Sequence, residues 1–345
     1  MDGSALEPAA MIVELGADLK LAFAMISHPR LGADALGAGL EDNIVRVILE
    51  ATLEQNRVVR VMRAEECFEV RPADGGWAPR YVAVDWLGRI VVSDYEHHQI
   101  QVFSGEDGSL LQSIGAEGTE AGQLSMPLGV AVSREGNFVV ADSRNHRLQV
   151  FERDGTFVRS IGCKGAAEGE LQFPMGVAVD HAGNIAVADW GNHRVQIFDS
   201  QGAHRRTIGR EGAGEGELKN PSGVAIDELG SMLVVADGQN HRVQLFEADG
   251  TFRRSIGHAD DGELNGPMGI ALDAAGNIMV GDKSDRVKVF RQDGTFVRAV
   301  GRHGTGQGEL HGPGGVAVDG AGNVVVADCK NRRVQVFASS APSPA

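Results

Sequence analysis

The stretch ADWGNHRVQIF, residues 188 to 198, sets Asp189, Asn192, His193 and Arg194 within six residues of one another, beside Trp190. An imidazole flanked by a carboxylate and an amide has the makings of a metal ligand or a general base, because both roles need a partner that orients the second ring nitrogen. The pattern is not unique to this stretch. His98, His146 and His241 stand in matching segments, with Asp285 and Arg332 in two others. A metal centre needs three or four donors converging on one ion at about 2.0–2.3 Å. Side chains that recur once per structural unit diverge from one another instead, and repetition in every unit is the mark of architecture. His146, His193, His241, Arg147, Arg194 and Arg242 are therefore read as structural, bonding Asp142, Asp189, Asp237 and nearby loop carbonyls. No metal ligand set, cofactor site or catalytic constellation is expected.

The elements that hold these residues follow from a fixed period. PLGVAVSREGNFVVADSRNHRLQVFERDGTFVRSIG, from 127, recurs as PMGVAVDHAGNIAVADWGNHRVQIFDSQGAHRRTIG, from 174, and again from 221, 267 and 313. A more divergent copy opens at 79 as PRYVAVD. The carboxylates Asp94, Asp142, Asp189, Asp237, Asp282 and Asp328 mark six units at spacings of 48, 47, 48, 45 and 46. Each unit holds four short runs, such as GVAVD, NIAVAD, HRVQIF and TFVRSIG, that alternate apolar with polar residues and read as strands. Four strands per unit make the blade of a β-propeller, a design that leaves only short, protected edges. The expected fold is all-β, a six-bladed propeller over residues 66–337, with a helical extension over 1–65 and a disordered tail over 338–345.

Local chemistry fits that plan. Asp154-Gly155, Gly183-Asn184 and Asp249-Gly250 supply positive φ at hairpins. The glycines of the Pro-x-Gly openings let backbones crowd at the narrow centre. Phe103, Phe151, Phe198, Phe246, Phe290 and Phe337 are expected to pack between adjacent blades. The last copy stops after its third strand at Phe337, so residues 66–71 (ECFEVR) are expected to supply the fourth and join the two ends of the domain.

Pro-x-Gly-Val-Ala-Val-Asp, then Gly-Asn, then Val-Ala-Asp-x-x-Asn-His-Arg-Val-Gln-Val-Phe, resembles the NHL repeat across residues 77 to 337. The first copy, with Glu96-His97-His98-Gln99, and the fifth, with DKSDRVKVF one residue shorter, depart furthest. The resemblance implies that ligands meet the face where the loops before the first strand and between the second and third strands gather. Peptidyl-amidoglycolate lyases of similar architecture carry zinc histidines just after the blade-opening proline. Arg80, Leu128, Met175, Ser222, Met268 and Gly314 stand there in this chain, so that cage is absent. Neither a G-x-S-x-G elbow nor a Walker-type G-K-[ST] occurs.

What varies on this face is the candidate recognition set: Tyr95, Leu128, Arg144, Met175, Trp190, Met268 and Lys283. Aromatics, Met and Arg are enriched at interface hot spots. The reading is a non-catalytic scaffold for a protein or peptide, with single-stranded RNA as the alternative. Net charge argues against RNA. It is −15 overall, with 7 Lys/Arg against 13 Asp/Glu in residues 1–76 and 25 against 34 in residues 77–337. Glu211, Glu215, Glu217, Asp260, Asp261 and Glu263 fall on the same loops and repel phosphate.

The three cysteines, Cys67, Cys163 and Cys329, lie too far apart for a zinc ribbon and read as free thiols in a reducing, cytoplasmic setting. Residues 11–26 carry Glu14, Asp18 and Lys20, so neither a secretory leader nor a membrane span is expected. Two helices are expected in the extension, one over EPAAMIVELGADLKLAFAMI and one over LEDNIVRVILEATLEQNRVVRVMR. LEDNIVRVILEA resembles the core of F-box adaptors, without its proline, and that likeness implies a link to ubiquitin-dependent turnover.

Overall fold

The computed structural model describes residues 11–14, 20–23, 67–71, 76–227, 229–258 and 262–338. The chain divides into two units, Met1–Val59 and Arg60–Ala345. In the first, Met11–Glu14 pairs antiparallel with Lys20–Phe23, Ile12 lying opposite Ala22 and Val13 opposite Leu21. This corrects the helix expected over the segment. A short apolar run is ambiguous between helix and strand on periodicity alone, and β-branched Ile12 and Val13 suit a strand. The second expected helix, from Leu40 to Arg63, lies outside the described residues, as does the tail after Ala338.

In the second unit the described residues form six antiparallel sheets of four strands. The first blade runs through Pro79–Val84, Ile90–Asp94, Gln99–Phe103 and Leu110–Ile114. The innermost strands of the next five are Pro127–Val132, Pro174–Val179, Pro221–Ile226, Ile270–Leu272 and Pro313–Val318. Each innermost strand lies beside that of the next blade, and the sixth lies beside the first, so the ring closes. The fourth strand of the sixth blade is Cys67–Val70. It pairs with Arg333–Phe337 in a register that sets Val70 opposite Val334 and Glu69 opposite Gln335.

Burial explains the strand composition. Every second strand, from IVVSD in the first blade to VVVAD in the sixth, is buried along its whole length because neighbouring blades cover both its faces. The fourth strands, such as LLQSI, are mostly exposed apart from their last residue. The core is accordingly distributed. Each of its six clusters joins two adjacent blades, with Phe151 filling the gap between blades one and two and Phe290 that between four and five. Trp77 closes the seam between blades six and one, packing on Phe103 and donating its Nε1–H to the Arg332 carbonyl at 2.8 Å.

Candidate binding face

Every loop between a second and third strand is bonded to the loop that leads into the same blade. Tyr95 N–H reaches the Ala78 carbonyl, Arg144 N–H that of Ser125, Gly191 N–H that of Gln172 and Lys330 N–H that of His311. Both loop sets therefore lie on one face. The buried carboxylates tie them down. Asp189 Oδ1 accepts the Gln172 N–H at 2.6 Å, while its Oδ2 accepts from Asn192 at 2.9 Å, Arg194 Nε at 2.8 Å and Gln196 at 3.1 Å. The Arg194 guanidinium goes on to the carbonyls of Ala167 and Glu170. Asp142, Asp237 and Asp328 repeat this arrangement with Arg147, Arg242 and Arg333. In the first blade Gln99 replaces the arginine, and in the fifth Arg286 keeps the position opposite Asp282 but is exposed. His97 Nδ1 bonds Asp94 Oδ2 in the first, and Lys288 Nζ lies 3.3 Å from Asp282 Oδ2 in the fifth. These groups spend their hydrogen bonds on one another and leave little to offer a ligand.

The histidines do something other than the sequence reading assigned. His98, His146, His193 and His241 do not bond the local Asp. Each sits in the left-handed region, with φ between 54 and 56°, at the end of the short turn after the second strand. From there Nδ1 accepts the backbone N–H of the residue that precedes the next blade: Met126 at 2.9 Å, Phe173 at 3.1 Å, Asn220 at 3.0 Å and Gly266 at 3.0 Å. Asp285 Oδ1 makes the same bond to Gly312 at 2.6 Å. Distance explains the difference, since the carboxylate is already surrounded by Asn, Arg and Gln while the imidazole projects over the gap between blades. An Nδ1 that accepts a hydrogen bond carries no proton, so these imidazoles are neutral with their proton on Nε2. Burial, helped by Lys164, pushes the pKa of His146 below its usual value.

The centre of the ring holds a residue whose role sequence reasoning missed. In five blades the third residue of the opening tripeptide is Gly, and a Cβ on Gly129 or Gly223 would come within 2.2 or 2.1 Å of the next blade's carbonyl oxygen. In the first blade that residue is Tyr81, only 6% exposed. Its hydroxyl donates to the Ser222 carbonyl of the fourth blade, the one opposite, at 2.8 Å. Burial pushes the phenol's pKa well up, which keeps it a neutral donor. The signal was present in PRY against PLG, PMG, PSG, PMG and PGG.

Around this plug stand the seven candidate recognition residues. Arg144 and Lys283 are exposed, whereas Tyr95, Leu128, Met175, Trp190 and Met268 are half-buried. Trp190 is thus partly covered, and its backbone carbonyl accepts from the Asn220 amide. Leu128 and Met175 pack against the cluster that contains Tyr81. Five of the seven belong to blades one to three. Phe173 joins them as an aromatic the sequence reading passed over: it is 39% exposed and its ring lies 4.4 Å from that of His146. Of the acidic loop residues, Glu217 is engaged with Arg210 and the Gly214 N–H, while Asp260 and Asp261 lie outside the described residues. Among the described residues, one trio of metal-ligating side chains comes together, Asp285, His303 and His311, with ligand atoms within 4.8 Å of one another. No helix among them is long and apolar enough to cross a membrane.

Comparison with known proteins agrees with this geometry. The NHL repeat family matches residues 78–103, 124–151, 171–198 and 310–337. The divergent first copy is among them, while the fourth and fifth are not. No curated protein matches the chain in sequence. Among solved structures, a streptogramin B lyase is similar with a TM-score of 0.59 at 12% identity, over 80% of this chain and 99% of that one. A catalytically inactive virginiamycin B lyase from Staphylococcus aureus, solved with quinupristin, gives 0.57 at 12% identity, over 81% of this chain and 90% of that one. A chain of the nidogen/laminin complex gives 0.56 at 20% identity, over 69% of this chain and 84% of that one. At these identities the likeness is one of fold.

Proposed function

Because the chain carries NHL repeats on a six-bladed β-propeller, we propose that it is a non-catalytic binding module whose loop face recognises a protein or peptide. The observation that carries this reading is the bond from Tyr81 to Ser222 across the ring. Small-molecule sites are concave and enclose most of their ligand. On this face a buried tyrosine spanning the axis occupies the space such a site would use, and what remains there is a broad rim. The rim offers aromatic and thioether surface at Trp190, Phe173 and Met175 beside the exposed guanidinium of Arg144, a mixture suited to side chains of a polypeptide. A role in ubiquitin-dependent turnover rests on LEDNIVRVILEA alone, and a cytoplasmic setting on the free thiols Cys163 and Cys329.

Selection of a displayed random-peptide library on the full chain tests the reading. Peptides that bind wild type are expected to lose about tenfold or more in affinity for a Tyr95→Ala, Trp190→Ala variant, as hot-spot truncation costs about 2 kcal/mol or more. Equal binding to both proteins would move the site off this face. Enrichment of single-stranded RNA with no peptide would favour the nucleic-acid alternative.

A further inference from the structure

The connecting loops between blades repeat one geometry with changing side chains. In four of them a parallel bridge pins the loop: Glu117 to Leu124, Lys164 to Leu171, Glu211 to Leu218 and His303 to Leu310. The residue after each of these leucines is Ser125, Gln172, Lys219 and His311. The residue of the preceding blade that clips the loop is His98, His146, His193 and Asp285. Two junctions thus pair a clipping histidine with an acid, His98 with Glu117 at 3.7 Å and His193 with Glu211 at 3.9 Å. Between blades five and six the pair is reversed, Asp285 Oδ2 lying 2.7 Å from His303 Nδ1. A reversed acid–imidazole pair would be complete with those two residues. His311 is additional, and it stands where the other junctions place residues that bind divalent ions poorly.

We propose that Asp285, His303 and His311 form a site for a borderline divalent cation, with zinc as its natural occupant, bridging the fifth blade to the loop that enters the sixth. Two imidazoles and a carboxylate suit such ions, which accept nitrogen and oxygen donors at about 2.0–2.2 Å and tolerate water in the remaining positions. Donors around a tetrahedral ion at that distance lie about 3.4 Å apart. The Asp285–His303 contact opens by less than an ångström to reach this, and His311 closes from at most 4.8 Å. The carriers are fixed while the rings are free to adjust. His311 N–H is held by Asp328 Oδ1 at 2.7 Å, the His311 carbonyl by Lys330 N–H at 3.1 Å, and the loop by Leu310 N–H to the Arg302 carbonyl at 2.7 Å. The His303 side chain is 69% exposed. Asp285 keeps its clip through Oδ1, bonded to Gly312, and offers Oδ2 to the ion.

One neighbour opposes the cation. Lys330 Nζ lies 3.5 Å from His311 Nε2. Its side chain is exposed and able to swing into solvent, so it weakens the site without closing it.

Calorimetric titration of the full chain with Zn²⁺ alone tests the proposal. One equivalent is expected to bind to wild type. His303→Lys with His311→Gln reproduces the side chains of the junction between blades two and three, so it should fold, as circular dichroism will report. It is expected to weaken this binding by about tenfold or more, because two of three donors are lost. Lys330→Ala, which keeps all three donors, is expected to bind Zn²⁺ more tightly than wild type. Absence of a one-equivalent site, equal affinity in the double variant, or unchanged or weaker affinity in Lys330→Ala would each overturn the assignment.

Discussion

The junction between blades two and three and that between blades five and six meet the same demand with different chemistry. Both need an acceptor, held at positive φ, for the N–H that leads into the next blade. His146 supplies an imidazole nitrogen and Asp285 a carboxylate oxygen. The imidazole spends its only acceptor on the clip and sets its ring at a tilt against Phe173. The carboxylate has a second oxygen to spare, and it reaches His303. An architecture that asks only for an acceptor leaves the identity of that acceptor open, and the choice decides what else the junction is able to bind.

The contrast between a rigid frame and a replaceable clip is broken most directly at Asp189. This carboxylate is fully buried and accepts four hydrogen bonds, one of them from Arg194. Asp189→Ala leaves the Arg194 guanidinium without its carboxylate and the other three donors without their acceptor, and is expected to cost about 3–5 kcal/mol of unfolding free energy, the range for half of a buried pair. Asp285→His, which installs the residue of the sister junctions, is expected to cost no more than about 1 kcal/mol, one hydrogen bond exchanged for another. Chemical denaturation of both variants measures the gap. Similar losses at the two positions would mean that the clip belongs to the frame.

A smaller effect is expected from the other departure from the repeat, at the centre of the ring. Tyr81→Phe keeps the ring in place and removes the donor to the Ser222 carbonyl. The expected loss is about 1–3 kcal/mol, the cost of a buried acceptor left without its partner. A variant as stable as wild type would mean that the hydroxyl adds nothing and that the ring alone fills the axis.

The six blades were legible in the sequence because every unit must bury the same strands against its neighbours, which repeats the same Val, Ile and Phe at the same spacing. The phenylalanines lie between adjacent blades for that reason. The fate of the histidines was not legible. Proximity in sequence pointed to Asp189, four residues before His193, whereas the actual partner, the N–H of Asn220, comes from the next unit. Tyr81 was hidden differently. Its place in the repeat was clear, but the bond it makes crosses the ring to a residue 141 positions away, a distance no periodicity encodes. The trio of Asp285, His303 and His311 escaped because its members come from three positions of the repeat that had no reason to be read together.

The smallest expected effect sharpens the comparison of acceptors through pH. His146 accepts the Phe173 N–H on an unprotonated Nδ1. Burial first, and then the charge of Lys164, lower its pKa below 6.5, against an opposing pull from Asp189. The folded chain therefore takes up this proton less readily than the unfolded chain does. Stability from this group is complete above about pH 6.5 and is lost as the pH falls through the lowered folded-state value. His146→Asn keeps a side-chain oxygen for the same N–H, tolerates the left-handed backbone and does not titrate. Between pH 7 and pH 5, wild type is expected to lose about 1 kcal/mol more unfolding free energy than the variant, one hydrogen bond's worth. Parallel pH profiles for the two proteins would show that Phe173 N–H finds another acceptor once the imidazole is charged. The imidazole clip at His146 would then be dispensable to the fold.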